Sequence, residues 1–277
     1  VGYQALDVLN NDVGGNTALG DSAGGALTTG YQNTFIGNEA GGGSSAVQRT
    51  VIIGNEAARS TMTSAATGTI AIGHQVLYSL SSGAGNIAIG YLAGTRHSTG
   101  TGNIFIGYNA ATGSTTGDYN TVLGYEAYST ATELDSNTAI GYQALKVMSG
   151  SAGVTNNTAV GYAALNVNTT GAGNTAVGYG ALDANTTAYY NVAVGYSALG
   201  ANLLTSSEVR CLVTSKEIIL VSIPSVSTVI LTIPEISLAV TVFVAIPFSL
   251  VTDVSVKLTK SSVAAVAAKS RTVLLSV

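Results

Sequence analysis

Over the first 200 residues, apolar and polar positions recur about every seventeen residues around a glycine set in an N-T-A-[VI]-G-Y-x-A-L pattern. That glycine stands at Gly2, Gly20, Gly37, Gly54, Gly73, Gly90, Gly107, Gly124, Gly141, Gly161, Gly178 and Gly195, at intervals of 17 to 20 residues. Twelve units at a nearly constant period define a repeat architecture, and that outranks any local motif. The residue before each anchor, from Leu19 to Val194, is Leu, Ile or Val and reads as a core-facing strand position. Three residues after the anchor stands Ala in eleven units and Val76 in the other, so small size is demanded where backbones pack closely. Four residues before it stands Asn in nine of eleven complete units, from Asn16 to Asn191. Asparagine tolerates the left-handed region and can stack its amide on the next copy, forming a ladder. The anchor glycine suits a corner that needs positive φ.

A unit this short predicts two short strands and two turns per coil, with no room for a strand plus a helix. Runs such as Thr169-Thr170-Gly171-Ala172-Gly173 supply the turns. Coils stacked with parallel pairing make an all-β parallel roll, or solenoid. About twelve coils at ordinary strand spacing give a rod roughly 50–55 Å long. The longer intervals, Gly54 to Gly73 and Gly141 to Gly161, place extra residues in turns at 60–68 and 148–154. The strand reads as apolar on both faces, because the residue before the aliphatic position is itself Ala, Phe35, Ile52, Phe105 or Val122. A thin coil covers only one of those faces. An apolar strip along a rod needs a partner, most simply another copy of the chain.

Composition divides the chain in two. All 34 Gly and all 14 Tyr lie before residue 201, and all three Pro (Pro224, Pro234, Pro247) lie after it. The expected domains are a β-roll over 1–204 and a second unit over 205–277. In the latter, Val, Ile and Leu mix with Ser and Thr, as in Val226-Ser227-Thr228-Val229-Ile230-Leu231-Thr232-Ile233. That pattern, punctuated by proline, predicts a small β-sandwich-like knob or cap. The apolar stretch 236–251 is short for a membrane helix and contains Pro247, so membrane insertion is not expected. The chain opens at Val1, inside a repeat, and reads as a fragment or processed product.

Charge and sulfur narrow the chemistry. With 10 basic and 14 acidic residues, a formal charge of −4 and no basic block, the chain does not read as a nucleic-acid binder. A single cysteine, Cys211, excludes an internal disulfide framework and a thiolate metal cluster. Gly20-Asp21-Ser22-Ala23-Gly24 matches a G-x-S-x-G nucleophile elbow, but it falls in repeat register and reads as a turn. Gly83-Ala84-Gly85 and Gly171-Ala172-Gly173 read as turn glycines, without the helix and lysine of a phosphate loop. His74 and His97 occupy different slots of the repeat and do not suggest a metal site. Glu39, Glu56 and Glu126 share one slot, where a solvated outer row is expected over a catalytic carboxylate pair. Tyr follows the anchor in seven consecutive units, Tyr91, Tyr108, Tyr125, Tyr142, Tyr162, Tyr179 and Tyr196. These rings read as a structural ladder, with a glycan-stacking stripe as the functional alternative.

Strings such as Asn174-Thr175-Ala176-Val177-Gly178-Tyr179-Gly180-Ala181-Leu182 resemble the YadA-like head repeats of trimeric autotransporter adhesins. They are more similar still to NTAVGYQAL-type repeats of phage tail-fibre proteins. The resemblance covers residues 1–200 and implies a left-handed roll, three chains around a common axis, and surface attachment. Adhesin heads usually carry a shorter unit, and 205–277 shows neither a heptad stalk nor a membrane-anchor pattern. The expected protein is a homotrimeric phage tail fibre, on the virion or at an extracellular surface. Its expected partners are a cell-surface receptor, glycan in the first instance, and other fibre or tail proteins. No enzyme activity, cofactor, metal or catalytic residue is expected, and receptor contact is placed in the C-terminal knob or the inserted turns. The alternative is the head of a bacterial trimeric adhesin. A tailspike-like polysaccharide depolymerase would need clustered carboxylates, and an ice-binding solenoid an unbroken Thr face. The Thr slot of Thr17, Thr34, Thr121, Thr138, Thr158 and Thr175 is interrupted by Val51, Ile70, Ile87, Ile104 and Val192.

Overall fold

The computed structural model describes residues 2–7, 14–130, 132, 135–148 and 156–200, together with short strands at 255–256 and 273–274. The chain forms two units, Val1–Ile218 and Ile219–Val277. In the first, eleven strands lie in chain order in one parallel sheet: β1 (Thr17–Leu19), β2 (Thr34–Ile36), β3 (Val51–Ile53), β4 (Ile70–Ile72), β5 (Ile87–Ile89), β6 (Ile104–Ile106), β7 (Thr121–Leu123), β8 (Thr138–Ile140), β9 (Thr158–Val160), β10 (Thr175–Val177) and β11 (Val192–Val194). Every strand pairs in register with the next, as Ile87 with Ile104 and Ile89 with Ile106. Eleven strands at the usual spacing stack to about 48 Å. This is a parallel β-solenoid. The first of the twelve units contributes its turn, with Leu6 N donating to Ala23 O at 3.1 Å.

Each coil holds one three-residue strand rather than the two expected. The rest of the coil is turn backbone, and it continues the inter-coil ladder by another geometry. Residues two and four positions after the anchor take positive φ, for example Glu126 at 50° and Tyr128 at 55°. Alternating the hand of successive residues points their N–H groups alternately up and down the stack. Glu126 N donates to Tyr108 O in the coil before at 2.9 Å, and Tyr128 N donates to Ala144 O in the coil after at 3.0 Å. A non-glycine residue in this region costs roughly 1–2 kcal/mol, offset here by hydrogen bonds on both sides.

The anchor glycines answer to two constraints at once. Gly107 has φ 134°, and a Cβ built on it would lie 2.4 Å from Gly124 O in the next coil. No side chain fits that gap. The left-handed position near the asparagine is not the asparagine itself but the residue before it, as in Tyr119 (φ 56°) and Tyr190 (φ 57°). The asparagine amides do form the ladder. From Asn86 through Asn103, Asn120, Asn137, Asn157, Asn174 and Asn191, each Oδ1 accepts from both the backbone N and the Nδ2 of the next member. A shorter run joins Asn16, Asn33 and Thr50. The two runs are separated at Thr69, beside the first inserted turn, which holds a 3-10 segment (Ser64–Ala66) with Thr63 accepting at its start.

The orientation of the strand also differs from expectation. Its middle residue faces the coil interior, and Phe35, Ile52, Phe105 and Val122 are wholly buried there. The uniform aliphatic position before the anchor faces outward, with Leu19 52 %, Leu123 42 % and Val194 42 % exposed. Alternation along a strand puts neighbours on opposite faces, so the buried middle residue forces both flanking residues out. Inside the coil, volumes compensate. A Cβ on Gly94 would lie 2.7 Å from the Phe105 ring. Where the middle residue of the following coil is Ala, as in Ala88, Ala159, Ala176 and Ala193, a buried leucine (Leu77, Leu145, Leu165, Leu182) fills the corresponding turn slot. Close packing at fixed cross-section requires that exchange.

In the second unit the described residues are one antiparallel pair, β12 (Ser255–Val256) with β13 (Val273–Leu274). The sandwich-like knob expected for 205–277, the apolar stretch 236–251, Cys211 and most of the second inserted turn lie outside the described residues. Among the described residues, no helix is long and apolar enough to cross a membrane.

Candidate functional site

Ser22, the glutamate slot and the tyrosine ladder lie in the turn that follows the anchor. Ser22 sits in that turn at φ 54°, its N–H donating to Tyr3 O at 2.8 Å. A turn, not a helix, follows it. Both histidines are engaged by neighbouring coils. His74 stacks on Tyr91 with ring centroids 5.2 Å apart. His97 is wholly buried, with Nδ1 3.2 Å from Ser114 Oγ and Nε2 3.2 Å from Gly100 O. Nε2 also lies 3.2 Å from Asn103 Nδ2, so this nitrogen faces both a carbonyl acceptor and an amide donor. Burial pushes the His97 imidazole below its ordinary pKa. Among the described residues no group of three or more His, Cys, Asp or Glu is placed to hold a metal.

The glutamate slot forms laddered ion pairs rather than a free carboxylate row. Arg59 Nε pairs with Glu39 and lies 4.0 Å from Glu56 Oε1, and its Nη1 donates to Tyr78 Oη at 2.7 Å. Those two hydrogen bonds, Tyr78 first and then Glu39, raise the Arg59 guanidinium above its ordinary value. Gln75 Nε2 donates to Glu56 Oε2 at 2.6 Å. Further along, Lys146 Nζ and Gln143 Nε2 both reach Glu126 Oε2 at 2.8 Å and hold that carboxyl below the usual range. The guanidinium beside Glu39 and Glu56 is committed to charge balance, and this arrangement does not set up a general acid beside a general base.

The tyrosines form a continuous stack with His74 at one end and Tyr196 at the other. Successive centroids are 4.8–5.3 Å apart, and the Tyr–Tyr planes lie within 9° of parallel. Each inner ring therefore has a neighbour on both faces and offers solvent only its edge and hydroxyl. A sugar stacks on a ring face, so only the two ends of the ladder could take one that way.

Two open clefts lie beside this turn. The first, about 280 Å³, is lined by Ser22, Glu39, Arg59, Ser60 and Tyr78, with Gly42 and Gly43 as its floor. The second, about 300 Å³, is lined by Thr95, Arg96, Asn109, Thr112 and Ser129, with Leu92 and Gly113. Neither was legible in the sequence, because each is assembled from slots of three or four successive coils. What the described fold defines is a parallel β-solenoid with in-register side-chain ladders and polar clefts along one edge. Comparison of the chain with protein families, with curated proteins and with solved structures gives no match.

Proposed function

We propose that this chain is a rigid shaft of a homotrimeric attachment fibre, of the phage tail-fibre kind, that holds a cell surface multivalently. The observation that carries the reading is the outward strip of the sheet. At every coil an aliphatic residue faces away from the coil interior, from Leu19 through Ile36, Ile53, Ile72, Ile89, Ile106, Leu123, Ile140, Val160 and Val177 to Val194. The strip runs the full length of the stack beside the half-exposed tyrosines. Continuous apolar surface on this scale marks an interaction face, and a second and third copy would cover it in the same register. Three chains then present each weak site three times, and effective concentration turns modest affinity into lasting attachment.

Light scattering tests the assembly. The expected mass is three times the 27.7 kDa chain, with no folded monomer on dilution. A monodisperse, fully folded monomer would sink the reading. The same preparation, mixed with host-type polysaccharides, is expected to bind without releasing oligosaccharides; dose-dependent cleavage would make it an enzyme instead.

A further inference from the structure

The two clefts occupy the same place in the repeat. Ser22 and Glu39 in the first, and Leu92 and Asn109 in the second, stand two residues after their anchors. Arg59 and Tyr78, and likewise Thr95, Thr112 and Ser129, stand five after; Ser60 and Arg96 stand six after. Because the slots coincide, the two clefts lie in line along the stack, beside the same columns of turn residues. Their centres are three to four coils apart, about 15–17 Å at ordinary strand spacing.

From this shared register we infer that the two clefts form one groove that binds a linear, uncharged polysaccharide lying along the rod, with sugar units seated in both clefts. The inference rests on the attachment reading for its biological setting but not for its chemistry. The lining is rich in planar groups that make paired hydrogen bonds (the Arg59 and Arg96 guanidiniums, the Glu39 carboxylate, the Asn109 amide) and in hydroxyls. Such groups exchange water for the adjacent hydroxyls of a sugar and give orientation through paired geometry. The Tyr78 ring in the first cleft, held by its hydroxyl to Arg59, adds the apolar surface that a pyranose face seeks.

Charge selects against acidic ligands. Between the units of Gly20 and Gly141 the two columns carry Glu39, Glu56 and Glu126 against Arg59, Arg96 and Lys146, which balance. Arg59 and Lys146 are already paired with those glutamates. Of these three cations only Arg96 is outside the ion pairs, and one cation does not suit a polyanion.

The test uses the intact chain on a panel of immobilised polymers: dextran, mannan, galactan, a polyuronate and heparin. Three variants are compared: Glu39→Gln with Arg59→Gln, which empties the first cleft of charge without unbalancing it; Arg96→Ala in the second; and all three changes together. Circular dichroism and melting establish that each remains folded, and Tyr142→Ala serves as a change outside the groove. At least one uncharged polymer should retain the protein. Altering either cleft should weaken that retention tenfold or more, altering both should abolish it, and Tyr142→Ala should leave it unchanged. Because two clefts on one polymer act together, the corresponding disaccharide should bind at least a hundredfold more weakly than the polymer. Retention by no uncharged polymer, retention by the acidic polymers only, or equal retention of the triple variant overturns the assignment. Adsorption to bacterial cells separates the two readings. Cells that take up the triple variant as well as the original chain leave attachment standing and remove the groove. Polymer binding without any adsorption to cells does the reverse.

Discussion

Asn157 Oδ1 accepts two hydrogen bonds from Asn174, one from the backbone N at 3.0 Å and one from Nδ2 at 3.2 Å. Both residues are wholly buried, so this oxygen satisfies a backbone donor that no water reaches. Asn157→Ala should therefore cost about 2–3 kcal/mol per chain, mostly from the stranded Asn174 N–H. Thr50 shows a partial substitute, since its N and Oγ1 both donate to Asn33 Oδ1 while it passes nothing like an amide upward. Asn157→Thr should fall between Ala and the original residue in a denaturant titration. Equal midpoints for all three would mean the ladder contributes nothing.

The alternating backbone yields an inverted glycine effect. Ala163 sits at φ 51°, in the slot that Gly180 occupies one coil later at 58°. Ala163→Gly should stabilise by about 0.5–1 kcal/mol, the relieved left-handed strain exceeding the added freedom of the unfolded chain. Gly107→Ala has the opposite sign, because its Cβ meets Gly124 O. It should prevent the stack from closing at that coil, seen as loss of the cooperative melt.

Core volume should obey a double-mutant cycle. Phe105→Ala opens a cavity and should cost about 3–5 kcal/mol. Gly94→Leu collides with the Phe105 ring and should also destabilise. Together they recreate the Leu-with-Ala pairing seen at Leu165 and Ala176, and the double variant should be more stable than either single one. Additive losses would remove volume exchange as the packing rule.

His97 gives the rod an acid sensitivity. The folded imidazole has its pKa lowered from the reference value of 6.5, chiefly by burial. Above that reference both folded and unfolded forms are neutral and no penalty arises. As pH falls through it, the unfolded chain takes up a proton that the folded chain refuses, so stability declines until the folded pKa is passed. The slope approaches about 1.4 kcal/mol per pH unit for one proton. Asn168 and Asn185 stand in the same slot and donate to the carbonyls of Gly171 and Ala188, the counterparts of the Gly100 carbonyl that lies 3.2 Å from His97 Nε2. His97→Asn should place an amide donor against the Gly100 carbonyl and flatten the pH dependence below 6.5. An unchanged slope would place the acid response elsewhere.

Replacing Tyr142, Tyr162 and Tyr179 with Ala removes four stacked contacts. At the low end expected for exposed rings, this should cost about 2 kcal/mol per chain, read as a lower melting temperature. Adsorption to cells should persist at temperatures where the variant is folded. Loss of adsorption with an unchanged melting temperature would make the tyrosine edges the contact surface.

The repeat, its parallel stacking, the anchor glycines and the asparagine ladder were legible because each demands one residue type at one slot. What was not legible has a common cause. The left-handed turn slot holds Ser22, Glu39, Gln75, Leu92, Asn109 and Ala163, and such variety hides a constraint imposed by hydrogen bonds from the coils above and below. The second strand expected per coil was a misreading of that ladder. The outward Ile89 and Ile106 looked like core because an apolar strip reads alike whether it is covered by its own coil or exposed on the sheet's outer face. The clefts were invisible for a different reason. They join Arg59 to Ser22 and Tyr78 through coil stacking, which no single unit displays.

In the regular stretches the inter-coil bonds connect residues about one repeat apart, as Ser98 N to Thr115 O along the backbone and Asn191 Nδ2 to Asn174 Oδ1 by side chain, each seventeen positions away. Excising or duplicating one whole unit there therefore returns every column to an equivalent neighbour. Length becomes a quantity that unequal recombination can adjust in steps of about 4.8 Å while leaving both ends of the stack as they were. A frame error of even one residue would instead move the interior side chain outside and the outer one in. The gene can thus behave as a ruler, finely graduated and intolerant of anything between its marks.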